Sequence, residues 1–355
     1  MRFIKETFRY LRKMWRDIRL RKGGDADIRI GTCGFPLGHT GPWFAKLIEE
    51  KTGKKVSFSW YKPSLILTSL FGSSWLVRIL LLIHNQPSVF FSGENIKTLK
   101  KYRDYRDYLG DLPSLALGFD YREKNNYRRL PLWLLYIFSP EFVARASLQD
   151  IQQRLDEIER KSHGPKQKFA AMIASHEGYC SRRKIDGDAA RVSRTYITQQ
   201  VESIGFVHCP GKLLHNDDSL KVDFDDDKKK YLQQFMFNIC PENAAVPGYV
   251  TEKLFESFEA GAIPVYWGDD NPEPAILNHE RIVFWRNDVD AEKNIEQIKK
   301  LYFSEEERRQ FLAVPVFKEM AAAEIYRYFD ILNTDLMKLI YQESRKTGLK
   351  GFQKN

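Results

Sequence analysis

The spacing of apolar positions changes character three times along the chain. Ile4, Phe8, Leu11, Trp15 and Ile18 recur at intervals of four, three, four and three, the period of a helix with one apolar face. Arg9, Arg12, Lys13, Arg16 and Arg19 fill the remaining surface, and Gly23-Gly24 breaks the pattern. From Asp27 short apolar runs take over at residues 28–30, 55–60, 64–68, 88–92 and 115–119. Each reads as a strand, with a helix over 42–51 between the first two. A polar helix fills most of 146–162 and ends at Ser162-His163-Gly164-Pro165, a Gly/Pro punctuation that suits a domain boundary. The second half then repeats the alternation. Strands are expected at 169–174, 206–209, 234–240, 263–267 and 281–285, and helices at 189–204, at 250–260 and from 291 to about 345. The longest apolar stretches, 79–83 and 130–138, are far shorter than the roughly 18–20 residues of a membrane span.

Strands alternating with helices predict an α/β fold with a parallel sheet in each half. The expected architecture is two Rossmann-like domains facing one another, over residues 25–165 and 166–312. A basic amphipathic helix (1–24) precedes them and a helical segment (313–355) follows. Hydrophobic residues at 43% and charged residues at 29% supply two cores and exclude wholesale disorder. Cysteines 33, 180, 209 and 240 contain no CxxC pair, so neither a zinc site nor a disulfide framework is expected, and a reducing compartment is.

Charge alters the picture only at one end. The chain holds 56 Lys and Arg against 47 Asp and Glu, a net +9, yet nine of the basic and two of the acidic residues fall within 1–24. The remainder carries 47 basic against 45 acidic, which removes the basis for a nucleic-acid surface. A basic sector beside Phe, Leu and Trp is the pattern of a helix lying in an anionic membrane interface. Its recurring charges leave no apolar core for a signal peptide. The alternatives are a helix packed on the protein or on a second copy with its charges solvated, and a nucleic-acid arm. We expect residues 1–22 to meet an anionic membrane surface, and no nucleic-acid partner.

The glycines between Gly31 and Gly41 lack dinucleotide-binding spacing. More chemistry is concentrated between Phe237 and Gly268. A strand there ends in Glu242-Asn243, and Thr251 is placed to cap the following helix. A helix N-terminus offers free N–H groups and partial positive charge, which suits a phosphate. Lys253 stands in that first turn, where a cation is disfavoured unless an anion is bound. Glu252 beside it can accept hydrogen bonds from ribose hydroxyls. An ordinary helix start with a surface Glu–Lys pair fits equally well. Glu94 follows an apolar strand and should emerge at the carboxyl end of its sheet, where open α/β sheets place their sites; a turn carboxylate is the alternative. His176 reads as a polar loop histidine. Asp225-Asp226-Asp227 has the look of a metal motif, but it lies in a charged stretch ending at Lys228–Lys230 and reads as a solvated turn.

The run from Phe237 to Gly268 resembles the donor-site motif of the alpha-1,3-fucosyltransferases, glycosyltransferase family 10. Phe237-Asn238 with Glu242-Asn243 matches F-N-x-x-x-E-N, and Tyr249-Val250-Thr251-Glu252-Lys253 matches Y-[IV]-T-E-K. Residues 262–268 match a-[IV]-P-[IV]-x-x-G. In the first half Ser92-Gly93-Glu94-Asn95 is similar to the family's [TS]-G-E-N element, and Arg129-Leu130-Pro131-Leu132-Trp133 to its R-x-P-x-[WY] run. The spacer 244–248 and the run Thr68–Gly72 resemble bacterial members, and the cysteine pairs and membrane anchor of animal Golgi members are not expected. The resemblance implies inverting transfer of L-fucose from GDP-β-L-fucose to a glycan hydroxyl, on a two-domain GT-B fold with the site in a cleft. The acceptor it suggests is the 3-OH of N-acetylglucosamine or glucose in a glycan such as lipopolysaccharide O-antigen. It further implies Glu94 as general base, Lys253 on phosphate and Glu252 on ribose. Asn243 would lie near the pyrophosphate and Tyr249 near the donor sugar. A family arginine follows the strand at 169–174; Arg182 is preferred over Arg183. No metal or other cofactor is expected, and the location implied is cytoplasmic, on the inner face of a bacterial membrane. A related GDP-deoxyhexose transferase and a non-catalytic glycan- or nucleotide-binding module are the alternatives.

Overall fold

Runs buried on both faces become the strands of two parallel sheets, as unbroken apolar segments should. The computed structural model describes residues 2–122, 124–177, 193–286 and 291–346, with backbone alone at 2–6 and 342–346. They form two compact units, residues 1–146 with 326–355, and residues 147–325.

In the first unit β1 (Ile28–Cys33), β2 (Val56–Phe58), β3 (Leu65–Thr68), β4 (Ser88–Phe91), β5 (Leu115–Gly118) and β6 (Tyr127–Arg129) are ordered β2-β1-β3-β4-β5-β6. All pairings are parallel. The polar edge strand β6 carries no apolar run to announce it. The helices are α1 (Arg2–Arg19), α2 (Thr40–Thr52), α3 (Ser74–Ile83), α4 (Leu134–Ile137) and α5 (Pro140–Arg145). The apolar run at 79–83 is the second half of α3. At the carboxyl edge the loops after β1 and β3 touch backbone to backbone. Gly34 has φ +60°, and a Cβ there would meet the Gly72 nitrogen at 2.4 Å; the Phe71 N–H donates to the Gly34 carbonyl at 3.2 Å. Only glycine satisfies both demands.

α1 docks through a face the apolar spacing does not mark. Asp17 is fully buried and accepts from the Trp60 N–H at 3.4 Å. The Tyr10 ring meets the Trp60 ring edge-on at 5.2 Å between centroids. Phe8, Leu11, Trp15 and Ile18, the apolar row of the sequence pattern, all stay exposed.

The second unit begins at Ser147 with α6 (Leu148–Ser162) and continues through β7 (Lys168–Met172), α7 (Arg194–Glu202), β8 (Val207–His208), α8 (Ser219–Val222) and α9 (Lys228–Leu232). It then runs through β9 (Phe235–Ile239), α10 (Glu252–Glu259), β10 (Ile263–Tyr266), β11 (Val283–Phe284), α11 (Ala291–Phe303) and α12 (Glu305–Ala313). The strand order is β11-β10-β9-β7-β8, again parallel. α13 (Ala321–Asp330) carries the chain back to the first unit, where α14 (Met337–Lys346) ends the described residues.

The division thus falls at 147 rather than at 166, and the second unit extends to 325 rather than 312. A capping box starts α6: Ser147 Oγ accepts from the Asp150 N–H, and Asp150 Oδ2 from the Ser147 N–H. The helix then buries Ile151, Leu155 and Ile158. Arg154 pairs with Glu259 at the end of α10, and Glu159 with Arg281 at 3.0 Å. Gly261, at φ +70°, turns the chain out of α10 so close to the Lys161 carbonyl that a Cβ would lie 2.2 Å from it. α6 therefore belongs to the unit that holds α10.

Candidate functional site

β9 and α10 build the site between them. β9 delivers Cys240, Pro241, Glu242 and Asn243 at its carboxyl end, and the chain loops out and returns at Thr251. Asn238 Nδ2 donates to Ser257 Oγ at 2.7 Å, tying the strand to the helix. Glu242, with no exposed surface, closes the loop. Its Oε1 accepts the Thr251 N–H at 2.7 Å and its Oε2 the Thr251 hydroxyl at 2.6 Å. Lys253 Nζ lies 2.8 Å from Thr251 Oγ1, 3.0 Å from Glu252 Oε1 and 3.5 Å from Glu242 Oε2.

This corrects the reading of Thr251 as a side-chain cap. It occupies the N-cap position of α10, but its hydroxyl makes no capping bond; the buried carboxylate of Glu242 is the stronger acceptor and takes it. The N-cap side chain therefore does not cap the first turn of α10. A cation that looked misplaced in that turn is held by two carboxylates. Burial works against the charged form of Lys253, but Glu252 and Glu242 outweigh it and raise its pKa. Burial likewise works to raise Glu252, and Lys253 overrides it and lowers the carboxyl. Glu242 is pushed up by burial against the opposing pull of Lys253.

Arg182 and Arg183 lie outside the described residues. Among the described residues the pocket's arginine is Arg194, at the first position of α7 and almost fully buried. Its guanidinium donates to the His176 carbonyl at 2.7 Å, to the Pro241 carbonyl at 3.2 Å and to Asn243 Oδ1 at 2.8 Å. The signal was available. Ser193 caps α7 by accepting the Tyr196 N–H at 3.0 Å, so Arg194 is a second cation in a helix's first turn, as Lys253 is. Asn243 is thereby positioned, and its Nδ2 lies 3.5 Å from the Tyr249 hydroxyl. Tyr249 itself is buried, 1% exposed.

Arg194, Glu252 and Lys253 border an open pocket of about 420 Å³, part of which is continuous with solvent. Arg194, Lys228, Glu252, Lys253 and Glu256 supply its charge, and Met172, Ile173, Ala174 and Leu232 an apolar wall. Of the residues named from the sequence, Glu252 and Lys253 line this pocket; Asn243 and Tyr249 do not, and Asn243 is joined to the lining through the Arg194 guanidinium. Glu94 belongs to the first unit. It follows β4, half-buried, in a turn set by its neighbours. Ser92 Oγ donates to the Glu94 carbonyl at 3.0 Å, and Asn95 Oδ1 accepts the Lys97 and Thr98 N–H groups at 2.9 and 3.2 Å. Leu132 presses on Gly93, where a Cβ would meet it at 2.7 Å, so the two motif runs of the first half pack on one another. Asp225 and Asp226 turn through positive φ and Asp227 caps α9 at the Lys230 N–H. Among the described residues no group of three or more His, Cys, Asp or Glu is arranged to hold a metal.

Residues 165–312 match the family model described as glycosyltransferase family 10 (fucosyltransferase), C-terminal. The chain is 27% identical over 223 residues to the alpha-(1,3)-fucosyltransferase FucT of Helicobacter pylori, covering 57% of this chain and 43% of that one. It is 28% identical over 142 residues to GDP-fucose protein O-fucosyltransferase 3 of Danio rerio, 36% of this chain and 31% of the relative. The chain thus spans less than half the length of these curated relatives. A crystal structure of an alpha1,3-fucosyltransferase superposes with a TM-score of 0.55 at 20% identity, covering 86% of this chain and 90% of the other. A second, with GDP-fucose, gives 0.53 at 19% over the same shares. At these identities the structures establish a common fold. The match to the family 10 (fucosyltransferase) model thus spans the second parallel sheet and the site built on it, residues 165–312.

Proposed function

We propose that the chain transfers L-fucose from GDP-β-L-fucose to a hydroxyl of a glycan, with inversion at the sugar carbon. The observation that carries this reading is the pocket wall. Lys253, Arg194 and the N-terminus of α10 place positive charge where a diphosphate leaving group develops negative charge. Glu252 accepts from the ribose hydroxyls, and Asn243, fixed by Arg194, meets the pyrophosphate. Glu94 takes the proton of the acceptor hydroxyl as that oxygen attacks the sugar carbon and the bond to phosphate breaks. The paired cations supply the charge stabilisation, so the proposed reaction needs no metal.

Exposed aromatic rings support a carbohydrate acceptor. Phe71 follows β3 and Tyr121 follows β5, the two neighbours of the strand that delivers Glu94; both side chains are more than half exposed, with the Arg129 guanidinium over the Tyr121 ring at 4.3 Å. The apolar face of a pyranose packs on such rings. The 3-OH of N-acetylglucosamine or glucose in a lipopolysaccharide glycan is the acceptor we favour. Incubation with labelled GDP-fucose and a panel of glycans should yield a fucosylated product whose linkage NMR assigns. Product from another GDP-deoxyhexose and none from GDP-fucose would move the donor assignment to the related transferases.

α1 leads to a further part of the reading. No described helix is long and apolar enough to cross a membrane. The exposed row Phe8, Leu11, Trp15 and Ile18 borders Arg9, Arg12, Arg16 and Arg19, a surface suited to an anionic bilayer such as the inner face of a bacterial membrane. Charge reversal of those four arginines should release the protein from phosphatidylglycerol vesicles while activity on soluble glycans persists. Undiminished vesicle binding would rule the membrane contact out.

A further inference from the structure

One carboxylate of the pocket has no task in the reading above. Glu256 stands one helical turn beyond Glu252 on α10, so the two share a face, and both line the pocket. Glu256 is 8% exposed. The neighbouring acidic side chains of the site and of α10 have charged or hydrogen-bonding partners. Glu242 holds Thr251 and Lys253, Glu252 pairs with Lys253, and Glu259 pairs with Arg154 and Lys229. Among the described residues no hydrogen bond to the Glu256 carboxyl oxygens is present; burial and the like charge of Glu252 raise the carboxyl against the through-space pull of Lys228, Lys253 and Lys229. The Glu256 oxygens are not among the fully enclosed atoms without a partner, so the carboxyl keeps access to the pocket it lines and can accept from a ligand there.

Its position follows the order of groups in a nucleotide. Lys253, Arg194 and the helix N-terminus mark the phosphate end, and Glu252 the ribose. Glu256 lies about 6 Å further along the axis, four residues at about 1.5 Å each. Beside it Met172, Ile173, Ala174 and Leu232 form an apolar wall on which a flat base can lie. We propose that Glu256 reads the base of the bound nucleotide, accepting two hydrogen bonds from the N1–H and the 2-amino group of guanine. Guanine alone among the common bases presents two adjacent donors on that edge, matching the two oxygens of a carboxylate. Adenine offers a donor beside an acceptor. Uracil offers one donor between two carbonyl oxygens, which a carboxylate repels. The inference rests on the reading of the pocket as a GDP-sugar site and adds to it the residue that selects guanine.

Calorimetry on the full chain with GDP, IDP, ADP and UDP tests it. IDP lacks only the 2-amino group and should bind wild type about 10- to 100-fold more weakly than GDP, as losing a charge-assisted hydrogen bond implies. In Glu256→Gln one acceptor becomes a donor, so GDP should weaken and the GDP-to-IDP gap should close to within about threefold. Thermal melting reports whether the variant is folded. If it is not, Glu256→Asp, which withdraws the carboxylate by one methylene, should weaken GDP more than IDP. A wild type that binds GDP and IDP alike, or a folded variant with an unchanged gap, overturns the assignment to Glu256 and leaves the pocket reading standing. A wild type that binds no guanine nucleotide overturns both.

Discussion

Glu94→Gln should lower kcat by about a thousandfold, the middle of the range for a general base, and leave GDP affinity unchanged. The expected split follows from the architecture. Glu94 stands in the first unit, and every group placed on the nucleotide stands in the second. Glutamine has the shape of glutamate, and the turn that carries the residue is held by others. Asn95 accepts the Lys97 and Thr98 N–H groups, and Leu132 packs on Gly93. Lost turnover therefore reports lost basicity rather than a misplaced loop. Rapid-quench measurement of a single turnover, with GDP binding measured by calorimetry on the same sample, separates the two quantities. A variant that keeps a tenth of wild-type turnover removes Glu94 from the role of base.

Lys253→Ala should fail in two ways at once. Its ammonium pairs with both Glu252 and Glu242, the latter with no exposed surface. Removing one partner of a buried ion pair costs about 3–5 kcal/mol of stability. It also strips the pocket of a charge aimed at phosphate, so GDP affinity should fall at least about thirtyfold. The pH dependence identifies the orphaned group. Burial already holds the folded Glu242 carboxyl above its ordinary value of 4.5, and Lys253 is the main opposing influence. Without the lysine the folded protein keeps a proton that the unfolded chain has released. The stability from that protonation is then full below pH 4.5 and is lost as pH rises through the folded value. The deficit of Lys253→Ala relative to wild type should therefore shrink on acidification. Chemical denaturation across pH 4.5–8 measures it, and GDP affinity equal to wild type would refute the phosphate assignment.

Much of the fold was legible because the strands of a parallel sheet are buried on both faces and read as plain apolar runs. Residues 65–68, 88–91, 115–118 and 235–239 need no partner to be recognised. β6 escaped because an edge strand of Tyr127, Arg128 and Arg129 has polar side chains and pairs on one side alone. α6 was legible as a helix but not as part of the second unit. Its allegiance is decided by Arg154, Glu159 and the approach of Gly261, which involve residues some hundred positions away. α1 shows the limit of periodicity most clearly. The spacing located an apolar face correctly, and the packing used a different one, through Tyr10 and Asp17 on Trp60.

The site divides along the same line. Sequence alone determined that a strand, a loop and a helix would bring Asn243, Glu252 and Lys253 to one end of a sheet, because chain continuity and helix geometry leave little choice. It also determined that the excess charge belongs to residues 1–24. Only the tertiary structure decided that Glu242 binds Thr251 and Lys253 instead of facing a ligand. It alone set Arg194 against Asn243 across 49 positions and left the Glu256 carboxyl unfilled in the pocket. Local spacing dictates which side chains share a face. Which of them are satisfied, and which remain to receive a substrate, depends on partners that only folding brings within hydrogen-bond distance.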